Sequence, residues 1–211
     1  SDDHPLPHFS KQPTIFVPGE GAVDPPRLIH ALVGAAQEKG ADLIKGKADL
    51  NADDLSVDGS PVRARDILIA TGAAPETAPE GLQAVRGTAF LVTLAEKDAG
   101  AVPTIVRSPT AYFLPRTARK LYVGATEEWP GAIAATAEEL MRDAQKLLPC
   151  LADAEDVQEV SGLRPFLHRG GPLIQRDRQH ARLIRAQGHH RNGVLLVPLT
   201  LNRIDDILHR Q

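Results

Sequence analysis

With 211 residues, 24 Lys and Arg against 27 Asp and Glu, and a formal net charge of −3, the chain has the length of one large domain or two small ones. It carries no basic field that would draw nucleic acid or an anionic membrane surface. Cys150 is the single cysteine, which excludes an internal disulfide and a cysteine-built zinc site, and no apolar run approaches the ~18 residues of a membrane span, so a cytoplasmic protein without a membrane-spanning segment is expected.

Residues 1–13 hold Pro5, Pro7 and Pro13 and show no periodicity, which predicts an arm on which His4 and His8 are solvated. Thr14-Ile15-Phe16-Val17 reads as a short strand, and Gly19-Glu20-Gly21-Ala22-Val23-Asp24 follows it. That stretch imitates a dinucleotide-binding fingerprint but has Asp24 where the third glycine belongs. Asp24 is instead expected as the N-cap of a helix with Pro25 in its first turn, an apolar face of Leu28, Leu32, Ala35 and Ala36, and an end near Lys39-Gly40.

Segments 41–46, 55–57 and 62–72 read as strands, with Asp58-Gly59 as a hairpin turn. Ile67-Leu68-Ile69-Ala70 is apolar on both faces, the pattern of a buried parallel strand. Thr71-Gly72 would end that strand where open α/β sheets take ligands, or would simply form a glycine turn. From residue 87 the pattern changes: β-rich runs at 88–94, 104–107, 111–114 and 121–124, separated by turn residues, predict an antiparallel second layer.

Thr136-Ala137-Glu138-Glu139 fits a capping box opening a helix striped by Leu140, Met141, Ala144, Leu147 and Leu148, with Met141 in the core and Pro149 at the end. Residues 157–163 return to strand character, with Arg164-Pro165 following. Arg176-Asp177-Arg178 is expected as a solvated turn. A strand over 181–186 leads into Gly188-His189-His190-Arg191-Asn192-Gly193. The final helix, over about 194–209, is expected to bury Val197, Leu201, Ile204 and Leu208, to kink at Pro198 and to leave Asp205 and Asp206 in solvent.

The glycine-bearing turn is the chemical centre of this pattern. Backbone N–H groups at a helix start lack partners within the helix and favour an anion or an electron-rich ring edge. Arg191 adds a planar fork of donors suited to a carboxylate. Arg164 and Arg191, each at the end of a predicted strand, could converge on one carboxylate if the strands are neighbours, or could form surface salt bridges. His168, His180, His189 and His190 form no helical His-x-x-x-His pair, so no metal site is expected.

Six pieces, in order, resemble the FAD-dependent amino-acid oxidase (DAO) family, in particular its glycine oxidases of the thiazole-pathway type. They are Asp66-Ile67-Leu68-Ile69-Ala70-Thr71-Gly72-Ala73, Val85-Arg86-Gly87, Tyr112-Phe113-Leu114-Pro115-Arg116, Tyr122-Val123-Gly124-Ala125-Thr126-Glu127, Ser161-Gly162-Leu163-Arg164-Pro165 and the 188–193 turn. The resemblance implies an α/β (α+β) fold: a partial FAD-binding parallel β/α layer over 14–86 and 176–211, and an antiparallel substrate-binding domain over 87–175.

It further implies oxidation of the C–N bond of glycine or another small amino acid to an imine, with hydride transfer to FAD. Arg164 would be the main carboxylate clamp, Arg191 the second, and Tyr112 a hydroxyl donor to the same group, though a cross-strand packing role for Tyr112 stands beside that. Thr71, Gly72, Gly188, His189, Asn192, Gly193, Val194 and Leu195 would face the cofactor, and Glu127 is a lesser pocket candidate.

Two departures from the family stand out. The Gly-x-Gly-x-x-Gly segment that grips the FAD pyrophosphate is not in this sequence, so an N-terminal segment or a companion chain is expected to supply it. After Arg164-Pro165 the family's glycine-rich turn is replaced by Phe166-Leu167-His168-Arg169-Gly170-Gly171-Pro172-Leu173-Ile174-Gln175, and Gln175 would obstruct a close backbone approach to the flavin. A homo-oligomer is expected. The alternatives to an oxidase are a truncated, non-catalytic relative acting as a carboxylate-binding or interaction module, and a decayed one with no activity.

Overall fold

The computed structural model describes residues 15, 17–51, 54–168 and 170–209. The arm expected over 1–13, with His4 and His8, lies outside the described residues, as do Thr14 and Phe16 of the strand expected over 14–17. In chain order the elements are α1 (Pro25–Glu38), β1 (Ala48–Asn51), β2 (Asp54–Val57), β3 (Ser60–Val62), β4 (Ile67–Ile69), β5 (Leu82–Thr93), β6 (Val106–Arg107), β7 (Tyr112–Pro115), β8 (Lys120–Gly124), α2 (Ala137–Leu147), β9 (Asp156–Leu167), β10 (Leu173–Arg176), β11 (Leu183–Gln187) and α3 (Val197–His209). They fall into two compact units. One is Val85–Leu163 with the described part of Ser1–Ala22; the other is Val23–Ala84 with the described part of Arg164–Gln211.

The first unit is built on a five-stranded sheet in the order β6-β7-β8-β5-β9, antiparallel between β5 and β8, β7 and β8, and β6 and β7. Alternation puts Phe90 and Val92, Phe113, and Leu121 and Val123 on one face, where they form the core with Leu140, Ala144 and Leu148 of the α2 region. Met141 and Leu147 pack on its margin. The capping box is present in both directions: Glu139 N–H donates to Thr136 Oγ1 at 3.1 Å, and Thr136 N–H donates to Glu139 Oε2 at 2.9 Å.

In the second unit a three-stranded sheet runs β10-β11-β4, with β10 antiparallel and β4 parallel to β11. Ile67, Ile69 and Leu183 are covered on one face by Leu50 and Leu55 of the β1-β2-β3 meander and by Ala64. Ile184 and Ala186 pack against Ile204, Ile207 and Leu208 of α3 on the other. The β2–β3 hairpin turns at Asp58-Gly59, both at positive φ (48° and 78°), the backbone that a two-residue primed turn demands.

Several expectations are corrected here. The strand expected at 41–46 forms one turn later, as β1, and Leu43 and Ile44 are exposed. Helix α1 begins at Pro25 with Asp24 capping Arg27 N–H at 3.3 Å, as predicted, but buries none of its residues, because nothing described in this unit covers its apolar face. Leu68 is 48% exposed: α3 packs over Ile184 and Ala186 and stops short of β4, so β4 is apolar on both faces but buried on only one.

The chain between 193 and 196 is turn rather than helix, and α3 starts at Val197. Pro198 thereby falls in the first turn, where a missing N–H costs nothing, and α3 runs on without a break. The buried face is Thr200 and Ile204, with Ile207 and Leu208 alongside, while Val197 and Leu201 are exposed, about one helical position away from the expected stripe. Arg176-Asp177-Arg178 is no simple solvated turn: Arg176 ends β10 and pairs with Asp66 at 2.8 Å, and Asp177 pairs with Arg185 at 2.8 Å. No described helix is long and apolar enough to cross a membrane.

Candidate active site

The parallel pair β4 and β11 sets up the candidate site. Both strands run the same way and both end in a glycine turn, Thr71-Gly72 after β4 and Gly188–Gly193 after β11. Gly188 is required twice over. Its φ is +85°, and a Cβ there would lie 2.5 Å from the Leu167 side chain. Beside Gly72 and Gly193 a Cβ would meet open space or only the Cβ of His189 at 3.9 Å. The strand ends therefore present bare backbone, as approach by a flat ring or a ribose needs, and this donor set fits part of a flavin nucleotide.

The turn after β11 is a single 3-10 turn, His190–Asn192, closed by Asn192 N–H to His189 O at 3.0 Å, with His190 in the left-handed region. Val194 and Leu195 follow, both exposed. His189 is half-buried and its Nε2 is 2.9 Å from Thr200 Oγ1 of α3. Burial pushes its imidazole below the ordinary 6.5. The unfolded chain then takes up this proton first as pH falls, so the stability tied to neutral His189 is complete above that ordinary value and is lost below it. Relative to a His189→Gln variant, the wild type is expected to lose urea resistance as pH falls below the ordinary imidazole value. Parallel profiles would show the ring to be solvated like a free histidine.

Thr71 does not offer a loose hydroxyl. Gln187, at the end of β11 and only 1% exposed, donates from Nε2 to Thr71 Oγ1 at 3.1 Å. Thr71 Oγ1 also shares a hydrogen bond with Thr77 Oγ1. Arg185 donates to Thr77 O at 2.9 Å, to Gln187 Oε1 at 3.5 Å and to Asp177 Oδ2 at 2.8 Å. Asp177 accepts in addition the N–H groups of Gln179 and His180. Its carboxyl is held below the usual range, chiefly by the Arg185 hydrogen bond. This network escapes a motif reading. Its one signal is Arg185 and Gln187, two residues apart on one face of the strand Leu183-Ile184-Arg185-Ala186-Gln187, whose other three residues are apolar.

Arg164 lies within β9, three residues before its end, rather than after the strand as expected, because the chain stays extended through Pro165 to Leu167. An antiparallel bridge joins Phe166 to His189. Arg164 stands two residues before that bridge and Arg191 two residues after it. The 3-10 turn begins at His190, so the pairing stops at this single bridge, with Arg164 on the β9 side of it and Arg191 on the turn. Phe166 is edge-on to both His168 and His190, with ring centroids 5.1 and 5.2 Å away. Gln175 sits in β10 opposite Arg185, with its residue exposed.

Tyr112 belongs to the other unit, on β7 opposite Gly124. Its ring stacks with that of Tyr122 at 6.0 Å and runs so close to Gly124 that a Cβ there would fall 2.6 Å from the hydroxyl. Glu127 is half-buried just beyond β8. Its neighbour Glu128 is the residue that accepts the Thr88 and Thr126 hydroxyls, at 3.0 and 2.6 Å. A cleft of about 440 Å³ in this unit, lined in part by Phe90, Met141, Val157, Glu138, Arg142 and Glu159, contains none of the expected site residues.

The family model described as "FAD dependent oxidoreductase" (DAO) matches residues 5–200. The chain is 31% identical over 218 residues to a glycine oxidase of Geobacillus kaustophilus, covering 93% of this chain and 56% of that protein. It is 29% identical over 205 residues to a bifunctional protein ThiO/ThiG of Synechocystis sp., covering 90% of this chain and 31% of that protein. The crystal structure of the Geobacillus kaustophilus glycine oxidase superposes with a TM-score of 0.77 at 28% identity, covering 92% of this chain and 56% of that one. The chain thus spans about half the length of the glycine oxidase it matches.

Proposed function

Because the chain belongs to the DAO family of FAD-dependent oxidoreductases, we propose that the protein oxidises the C–N bond of glycine or a comparably small amino acid. The observation that carries this reading is the convergence of two glycine turns at the carboxyl ends of parallel β4 and β11, with Arg164 and Arg191 flanking the bridge beside one of them. Thr71, Gly72, Gly188, His189, Asn192, Gly193, Val194 and Leu195 would hold the flavin, chiefly through backbone groups. When bound, FAD accepts the hydride that a C–N oxidation releases.

The chain's own residues bind and orient. Arg164 and Arg191 take the substrate carboxylate by paired, charge-assisted hydrogen bonds, which fixes one end of a very small molecule and so restricts the other. Neutral His189 braces the turn against α3 through Thr200. Tyr112 keeps its proposed part as a further donor to the carboxylate on the strength of its motif position. In this reading the unit holding β4 and β11 is the flavin-binding part and the unit built on the five-stranded sheet is the substrate-binding part. An upstream segment or companion chain gripping the pyrophosphate, and a homo-oligomeric, cytoplasmic enzyme, belong to the same proposal.

The test is spectroscopic. Full-length protein is expected to purify with a visible flavin band that glycine or a small amino acid bleaches under anaerobic conditions. A protein that takes up no flavin would sink the reading, and a flavin that no amino acid reduces would sink its substrate half.

A further inference from the structure

We propose that Gln187 is a positioning residue, a side-chain clamp that holds the Thr71-Gly72 turn and the Gly188–Gly193 turn at a fixed separation. Its consequence for FAD rests on the flavin reading above; the clamp itself rests on the geometry of β4 and β11.

The backbone ladder between those strands ends at the pair Arg185 and Ile69. Two residues further along each strand stand Gln187 and Thr71, at the threshold of the two glycine turns. Among the described residues the β4–β11 backbone pairs end there, and both turns contain glycine, the residue with most conformational freedom to lose. The link at this point is made by side chains: Gln187 Nε2 to Thr71 Oγ1 at 3.1 Å.

Gln187 is itself held. Arg185 reaches its Oε1 and also the Thr77 carbonyl, while Asp177 holds Arg185 from the other side. A buried amide that loses its partner pays its desolvation in full, so a side chain this buried has one low-energy arrangement, and that arrangement fixes Thr71. Thr71 in turn carries Gly72, at positive φ and with nothing within 4 Å of where a Cβ would stand. None of the motifs that point to the family includes Gln187, Arg185 or Asp177.

The experiment uses full-length Gln187→Leu, Thr71→Val and the double variant. Leucine and valine keep the approximate size of glutamine and threonine while removing the amide and the hydroxyl of the clamp, and the double variant separates the lost link from local repacking. In the flavin-free protein, amide hydrogen exchange is expected to rise at 71–73 and 188–193 in Gln187→Leu while β4 and β11 stay protected. FAD affinity should fall roughly five- to tenfold, the loss of about one partly buried hydrogen bond, and the flavin band should move toward that of free FAD. The double variant should bind FAD no worse than the weaker single variant, since both remove the same link.

Unchanged exchange in both turns, or additive losses in the double variant, would overturn the clamp. Wild-type protein that takes up no FAD would overturn the flavin reading and with it the cofactor role of Gln187. Ordinary FAD uptake with unchanged affinity in Gln187→Leu would overturn that role alone.

Discussion

Phe113→Ala is expected to destabilise the unit built on the five-stranded sheet by about 3–5 kcal/mol, the largest stability loss of any single truncation considered. Phe113 is fully buried on β7, between Val123 of β8 and Val106 of β6 in the ladder. It shares a core with Leu121 and, from the α2 region, Leu140, Ala144 and Leu148. Strands on one side and a helix on the other leave little backbone free to collapse into the space that the ring vacates, so the cavity persists and its lining loses contacts outright.

Trp129, the single tryptophan, follows the Thr88–Thr126–Glu128 hydrogen-bond cluster in the same unit and reports its unfolding by fluorescence in urea. Phe113→Leu should cost under about 1.5 kcal/mol, because volume is largely kept. A loss below about 1 kcal/mol for the alanine variant would mean that the sheet and α2 close over the gap, and that this core is far softer than its burial indicates.

What the sequence made legible is what short-range chemistry decides. The Asp58-Gly59 turn, the Thr136/Glu139 capping box and the Asp24 cap each depend on residues a few positions apart, and each forms where predicted, while the antiparallel layer expected over 88–124 forms with its first strand, β5, beginning earlier, at Leu82. The misreadings arise where partners distant in sequence decide. The apolar stretch at 41–46 looks like a strand, yet the ladder with β2 starts at Ala48. The face of α3 is selected by Ile174, Ile184 and Ala186, which only the folded sheet brings to it, and so the buried stripe shifts away from Val197 and Leu201.

The candidate site divides in the same way. The glycine turns were readable because glycine marks its own conformational need. The Asp177–Arg185–Gln187–Thr71 chain spans more than a hundred positions and was not readable, since Arg176-Asp177-Arg178 looks like any solvated charge run until β11 is laid beside β4.

Arg164→Ala is expected to lower kcat/KM for the amino acid by about 2–4 kcal/mol, roughly 30- to 1000-fold, with most of the change in KM. Strand alternation puts Arg164 and Phe166 on the same face of β9. Phe166 is fixed there by its bridge to His189 and its edge contacts with His168 and His190, so the backbone that carries Arg164 is anchored within two residues of it. A side chain on an anchored strand has less backbone freedom to lose on meeting a carboxylate than one on a turn, which is why Arg164 is assigned the larger share. Arg191 sits on an exposed 3-10 turn, and Arg191→Ala should cost less.

Arg164→Lys should recover only part of the loss, because an ammonium cannot reproduce two parallel hydrogen bonds. Flavin content and urea midpoint should stay at wild-type values in all three variants. The decisive control is an amine of the same size without a carboxylate. Its oxidation, already slow, should be indifferent to Arg164→Ala, because the group that the arginine grips is missing. Equal losses for the amine and the amino acid would show that Arg164 supports the fold or the flavin turn and does not bind the substrate carboxylate.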